Sequence, residues 1–585
     1  MSERAPDIRQ RECVAEPLDG LHPVVARVYA ARGIRSHDEL DPSLRNLPSP
    51  SLADIDAATE RLQAALRAGE RILVIGDFDA DGATSVALAV RVLTAFGHDA
   101  VEHLVPNRFE YGYGLTPELV EPAAERAPGL ILTVDNGISS HAGVTAAARH
   151  GIDTIVTDHH LPGDSLPPAV AVVNPNRVDC EFPIKSLAGV GVVFYLMVAL
   201  RARLERSGWF AERGGGAPSM AGFLDLVALG TVADVVPLER CNRVLVEQGL
   251  RRIRAGQCCA GIGALIETAK RSPAALQAGD LGFALAPRLN AAGRLADMAV
   301  GIQTLLTDDP EEARTRAHQL DGLNGERRDI EAEMRTQADE ELARLRTTLE
   351  ADEALPPGLV LYDERWHQGV SGILAGRVRE AVHRPTVIFA DAGEGMLKGS
   401  TRSVAGLHIR DALATIDAAE PGLIERFGGH AMAAGLGLAL GNLETFRAAF
   451  AREVERALGG VAPLREIHTD GDLGREEMDL ATAEALAAAG PWGAGFPEPN
   501  FDGQFRVVEG RVVGERHLKL RLRPLAGGAT FDAIHFNADP ALLADPGETA
   551  RVVYRLEVNE FRGRRNVQLN VEYFGRLDGE STANG

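Results

Sequence analysis

The sequence predicts an α/β protein of several domains: a parallel-sheet lobe, a long helix, a second α/β lobe and a small β-barrel toward the C-terminus. Three observations predict it. Residues 70–240 alternate short apolar runs with helical stretches, the pattern of βαβ units around a parallel sheet. From Glu311 to Leu355 there is no proline and charge is dense, as in one or two long solvated helices. From about residue 465 to 575 the chain turns to short alternating strands. A length of 585 residues suggests about four domains.

In chain order, residues 1–50 read as a variable N-terminal segment rich in charge and proline. The run Ile72-Leu73-Val74-Ile75 reads as a buried strand and Ala83–Val90 as the helix after it. Leu130–Val134 and Thr154–Thr157 repeat the strand pattern, and Leu226–Ala233 is read the same way. Gly214-Gly215-Gly216 marks an exposed loop, and residues 242–310 look mainly helical. The apolar positions of 311–355 do not sustain heptads, which argues against a coiled coil. Leu359–Tyr362 and Pro385–Phe389 read as strands flanking a helix over Val370–Val378; Lys398–Ser403 follows, and the unit closes near Gly460. Phe505–Val508, Leu518–Leu522, Val552–Leu556 and Val567–Val571 read as strands of an antiparallel barrel, a common architecture for gripping single strands.

Each strand of the first lobe runs into an acid. Asp77, Asp79 and Asp81 alternate just after Ile75-Gly76; Asp135 follows Val134, Asp158-His159-His160 follows Thr157, and Asp234 follows Ala233. Parallel strands deliver their carboxyl ends to one edge of a sheet, where α/β proteins bind ligands. So many carboxylates in one place repel unless a cation neutralises them. Carboxylates with imidazole suit two divalent cations, Mn²⁺ or Mg²⁺, which activate water and clamp a phosphoryl group. An EF-hand is excluded: its twelfth position would be Leu88 rather than Glu, and a strand rather than a helix precedes the loop.

These motifs resemble the DHH phosphoesterase superfamily and, within it, the RecJ exonucleases. The resemblance rests on Asp77-Phe78-Asp79-Ala80-Asp81-Gly82, Asn107-Arg108 with Gly112-Tyr113-Gly114, Asp135-Asn136-Gly137, Asp158-His159-His160, Gly230–Leu238 and the downstream Gly428–Gly435, and it covers roughly residues 20 to 575. Asn136 stands where many relatives carry Cys. The resemblance implies a DHH domain over 51–310, a connecting helix over 311–355, a DHHA1 domain over 356–462 and an OB-fold over 463–578. It implies that Asp77, Asp79, Asp81, Asp135, His159 and Asp234 hold the cations, with Asp135 bridging. His160 then contacts the scissile phosphate or gives a proton to the leaving oxygen, and Asp158 is a ligand or a brace for a histidine. Arg108, Arg288, Ser371, Arg377, Ser400, Arg402 and His430 lie in segments that resemble phosphate-contacting ones. The implied activity is release of 5′-mononucleotides from the 5′ end of single-stranded DNA in repair and recombination. A single-strand-binding protein and a helicase are the implied partners, and a monomer suffices. The rival readings are a DHH hydrolase of small phosphoesters and an inert scaffold. The closing barrel argues against the first and the complete acid set against the second.

The net charge of −22 disfavours a general polyanion binder, so local charge must do the work. Arg511, Arg516, Lys519, Arg521 and Arg523 form one basic cluster, and Arg551, Arg555, Arg562, Arg564 and Arg565 another. Aromatic residues are only 5% of the chain; Tyr111, Tyr113, Trp366 and Phe561 are candidates for stacking on bases, and Trp492 for the core. No apolar run is long enough to cross a membrane, the N-terminus lacks a signal-peptide core, and five cysteines fit neither a zinc site nor a disulfide framework. A cytoplasmic protein is expected.

Overall fold

The structure is a computed structural model that describes residues 6–106, 114–348, 355–460, 465–514, 517–561 and 563–577. Its contacts divide the chain into two units. One joins Ile8–Asp321 to His468–Gly585, and the other is built from Gly322–Ile467 with the first seven residues.

In the first unit five parallel strands lie in the order Val101–Leu104, Ile72–Ile75, Leu130–Val134, Asp153–Thr157, Ala171–Val173. The chain leaves Ile72–Ile75 for one side and returns on the other, so the strand order reverses between Ile72–Ile75 and Leu130–Val134. A crevice opens at such a switch point, beyond the carboxyl ends of the two strands. Both strands are buried along their whole length, because helices cover both faces.

One expected strand is a helix. Leu224–Ala233 is α-helical and buried from Leu224 to Thr231, so Asp234 follows a helix end rather than a strand end. A run that is apolar on every side satisfies a core helix as well as a core strand, and periodicity cannot separate the two. The N-terminal segment packs within the first unit. It forms the helix Pro23–Ala31, whose Tyr29 hydroxyl donates to the Ala489 carbonyl at 2.6 Å, and Arg32 pairs with the buried Asp470 at 2.7 Å.

The C-terminal strands close a five-stranded barrel in the order Phe501–Val513, His517–Pro524, Phe531–Phe536, Arg564–Arg576, Thr549–Phe561. All its pairings are antiparallel except Phe531–Phe536 with Arg564–Arg576. Closure removes every free strand edge.

The linking helix is one element, Pro310–Thr348. In the second unit its residues Met334, Ala338 and Leu342 repeat every fourth position and are buried with Leu361, Trp366 and Leu374. The sheet of this unit is mixed: Leu359–Tyr362 pairs parallel with Thr386–Gly393, and Met396–Arg402, Ala433–Ala439 and Arg426–Gly429 follow antiparallel.

Candidate metal centre

The acid-rich turn sits at the switch point. Asp77 is buried and its Oδ1 accepts the N–H of Phe78 at 2.7 Å. Asp79 caps the helix Ala80–Ala95, its Oδ1 accepting the N–H of Gly82 at 2.9 Å. Asp81 lies deeper, with Oδ2 accepting from Gly189 N–H at 2.7 Å and Oδ1 from Val190 N–H at 3.0 Å. Those amides open the helix Gly189–Arg206, whose positive end favours a carboxylate.

Asp135 follows the neighbouring strand with its backbone in the left-handed region, φ +62°. That conformation costs an aspartate roughly 1 kcal/mol and re-aims its carboxylate. His159 Nε2 lies 3.3 Å from Asp135 Oδ1 and 3.5 Å from Asp234 Oδ2. Asp158 points away from this cluster. Its Oδ1 accepts from the backbone of His159 at 2.7 Å and of His160 at 3.0 Å, and meets His160 Nδ1 at 2.7 Å; Oδ2 accepts from Ile138 N–H. It therefore fixes the imidazole of His160, the second of the two roles open to it.

Burial and crowding set the electrostatics. Burial raises Asp81 to about 7 with help from Asp79, against the two backbone hydrogen bonds. Burial, then the charges of Asp81 and Asp79, holds both Asp135 and Asp234 well above the usual carboxylate range. Burial opposes protonation of His160, but the Asp158 bond and nearby carboxylates outweigh it and raise the imidazole to about 9. Three triads have ligand atoms within 4.8 Å of one another: Asp77, Asp79 and Asp135; Asp135, His159 and His160; Asp81, His159 and Asp234. Carboxylate and imidazole donors brought together, with Asp81, Asp135 and Asp234 resisting ionisation, fit hard divalent cations that would relieve the repulsion.

The sequence comparisons agree with this geometry. Family models match residues 71–231 (DHH family, N-terminal domain), 356–456 (DHHA1 domain) and 469–573 (RecJ OB domain). A protein of Dickeya dadantii named single-stranded-DNA-specific exonuclease RecJ is 55% identical over 97% of this chain and 99% of its own. The chain belongs to the RecJ family. The crystal structure of RecJ with Mn²⁺ from Thermus thermophilus superposes with a TM-score of 0.76 at 33% identity, covering 98% of this chain and 80% of that one. Its complex with Mg²⁺ gives 0.72 at 30% identity, covering 98% and 79%.

The phosphate-binding residues expected for a RecJ protein are placed unevenly. Ser371, Ser400 and Arg402 come together: the two hydroxyls are 2.8 Å apart, and the Arg402 guanidinium lies against Gly372. Burial, then the charge of the neighbouring Arg379, lowers the pKa of Arg402. His430 is exposed on the loop between Arg426–Gly429 and Ala433–Ala439, and the register sets Ala433 opposite Arg402. Gly399 lets Phe389 and Leu436 pack close to the strand, since a Cβ there would meet both at 2.6 Å. Arg377 is drawn into pairs with Glu331 and Glu380, and Arg288 pairs with Asp321 at 2.8 Å. Arg108, Tyr111 and Tyr113 lie outside the described residues, as does the side chain of Phe561.

Other sequence expectations change. Trp366 is 4% exposed and belongs to the core, its indole donating to Gln337, so it is no stacking platform. Trp492, partly buried, stacks on Phe496, a packing role as expected of it. The second basic cluster is largely neutralised: Arg551 pairs with Asp502, Arg555 with Glu498 and Glu572, Arg565 with Glu484. In the first, Arg521 faces Glu509, and Arg511 and Lys519 share their hollow with Glu509 and Asp532; Arg516 and Arg562 are outside the described residues.

Four supporting roles were not visible in the sequence. Asn136 is fully buried and its Nδ2 donates to the carbonyls of Ile75 and Val134, tying together the strands that carry Asp77 and Asp135. Asn290 Oδ1 accepts the N–H of Ala80 at 2.8 Å, which locks the acid-rich turn. Asn174 holds the His160 carbonyl at 2.9 Å. Gly189 leaves room for Asp135, because a Cβ there would fall 2.5 Å from its Oδ1.

Proposed function

We propose that this chain is an exonuclease that hydrolyses single-stranded DNA from the 5′ end, releasing 5′-mononucleotides in repair and recombination. The observation that carries the reading is the convergence of Asp77, Asp79, Asp81, Asp135, His159 and Asp234 at the switch point of a RecJ-family sheet. The curated relative is a single-stranded-DNA-specific exonuclease, and the Thermus structures hold Mn²⁺ or Mg²⁺.

Those six residues would hold two cations, with Asp135 shared between them. Bound there, divalent cations supply Lewis acidity toward phosphoryl oxygens and lower the pKa of water. Gly189, Val190 and Asn290 keep the carboxylates aimed inward. His160, oriented by Asp158, contacts the phosphate and keeps a proton at Nε2 for the leaving oxygen. Ser371, Ser400, Arg402 and His430 bind backbone phosphates, hydroxyls and a guanidinium being suited to them. Arg108, Arg288 and Arg377 complete the set, the last two by exchanging a carboxylate for a phosphate.

The domain limits proposed are 51–310, 311–355, 356–462 and 463–578, in keeping with the residues matched by the family models. No helix among the described residues is long and apolar enough to cross a membrane. A cytoplasmic monomer, supplied by a helicase and a single-strand-binding protein, is the setting that suits this reaction.

The test is a single strand labelled internally and at either end, with Mn²⁺ or chelator, against the same sequence as blunt duplex. Release of mononucleotides from the 5′ end of the single strand alone, absent in Asp135→Ala, supports the reading. Hydrolysis of dinucleotides or polyphosphate in its place would overturn it.

A further inference from the structure

A short π-helical turn, Leu281–Leu285, leads directly into the helix Ala286–Leu295. Such turns accommodate one residue more than an α-helix and are frequent at functional sites. At its centre Phe283 is 89% exposed, whereas Phe536, the next most exposed phenylalanine among the described residues, is 52% exposed. Leu281 and Leu285 on either side are fully buried, so the turn is firmly seated and Phe283 alone is left outside.

The turn and the helix after it are fastened to the metal centre. Within the turn, Gly282 packs on Val232, two residues before Asp234, with room for no more than a tight Cβ at 3.2 Å. Downstream, Asn290 accepts the N–H of Ala80, and Gly293 lies so close to the Phe78 carbonyl that a Cβ would overlap it. Arg288 donates to the Ala284 carbonyl, bracing the turn from its own helix. A lone exposed aliphatic side chain would mean little. An aromatic ring held out by a braced π turn, on an element that also locks the acid-rich turn, needs a cover of matching chemistry. Every nucleobase has a π face, so stacking tolerates any sequence, as an enzyme meeting four bases in turn requires.

We propose that Phe283 is a stacking platform for a nucleobase of the single strand. This rests on the single-strand hydrolysis proposed above. Steady-state kinetics on a single-stranded oligonucleotide would compare wild type, Phe283→Ala and Phe283→Trp. Phe283→Ala is expected to raise KM by roughly 10-fold with kcat within about twofold, and Phe283→Trp to restore it. Independently, the added indole of Phe283→Trp should be quenched by a strand protected with phosphorothioate linkages. Of the three native tryptophans Trp209 and Trp366 are buried at 1% and 4% exposure, and the signal of the partly exposed Trp492 is subtracted with wild type measured alongside. An active wild type with unchanged KM in Phe283→Ala, or with a raised KM but no quenching in Phe283→Trp, overturns the stacking role and leaves the exonuclease reading standing. A wild type inert toward single strands overturns both.

Discussion

The backbone N–H of Gly189 donates to Asp81 Oδ2 at 2.7 Å, and the same glycine, lacking a side chain, leaves the space that Asp135 fills. One residue thus anchors an acid of the first motif and admits the acid of the second. Gly189→Ala would set a methyl 2.5 Å from Asp135 Oδ1. Overpacking of this kind costs about 1–3 kcal/mol, and here it falls on a carboxylate that must stay aimed. The variant should fold, bind Mn²⁺ at least 10-fold more weakly by titration calorimetry and lose most nuclease activity.

Asp158→Asn separates orientation from metal binding. The side chain touches His160 rather than the carboxylate cluster, so Mn²⁺ affinity should hold within a few-fold while kcat falls about 10- to 100-fold. Removing its charge lowers the pKa of His160, so the alkaline limb of the kcat profile should move to lower pH. An unmoved limb would remove His160 from proton transfer.

Stability without cations should depend on pH in an unusual direction. Folding raises Asp81 from 3.8 to about 7 and raises Asp135 and Asp234 as well, so the folded chain binds more protons than the unfolded one across that window. Stability then falls as pH rises through it. Thermal melts in chelator should show a lower midpoint at pH 7.5 than at pH 5.5, by an amount of order a few degrees. Mn²⁺ should raise the midpoint more at pH 7.5, where the carboxylates are bare.

Arg402→Lys keeps the charge but loses the planar fork. If the serine–arginine cluster holds backbone phosphate, KM for the strand should rise about 10-fold or more, the worth of one charge-assisted hydrogen bond. Steady-state kinetics with Ser400→Ala alongside would test whether the hydroxyl contact beside it, 2.8 Å from Ser371, belongs to the same site.

Much of this was legible in the sequence because each signal was local. Apolar runs ending in Asp77, Asp135 and Asp158 mark buried parallel strands and their ligand-bearing ends, and alternation marks four of the five barrel strands. The misread helix Leu224–Ala233 carries no polar face to reveal its period. Asn290 and Ala80 are separated by 210 positions, and only the fold makes them partners. The same holds for Arg555 and Glu498, 57 apart, which turn an apparent basic patch into internal ion pairs. Phe283 reads as one more apolar residue of a helical stretch until its π turn is seen.

The sheet has two unlike rims. Asp158 ends the strand Asp153–Thr157, while at the other end of that strand Gly151 lies exposed with open space around it. Five extended residues span about 16 Å, so a dye or surface tether at the exposed Arg149, beside a Gly151 whose φ of +73° keeps it glycine, would sit on the rim that takes no part in chemistry. The molecule can therefore be handled from that side, immobilised or watched singly, while the acid-bearing rim stays open to a strand.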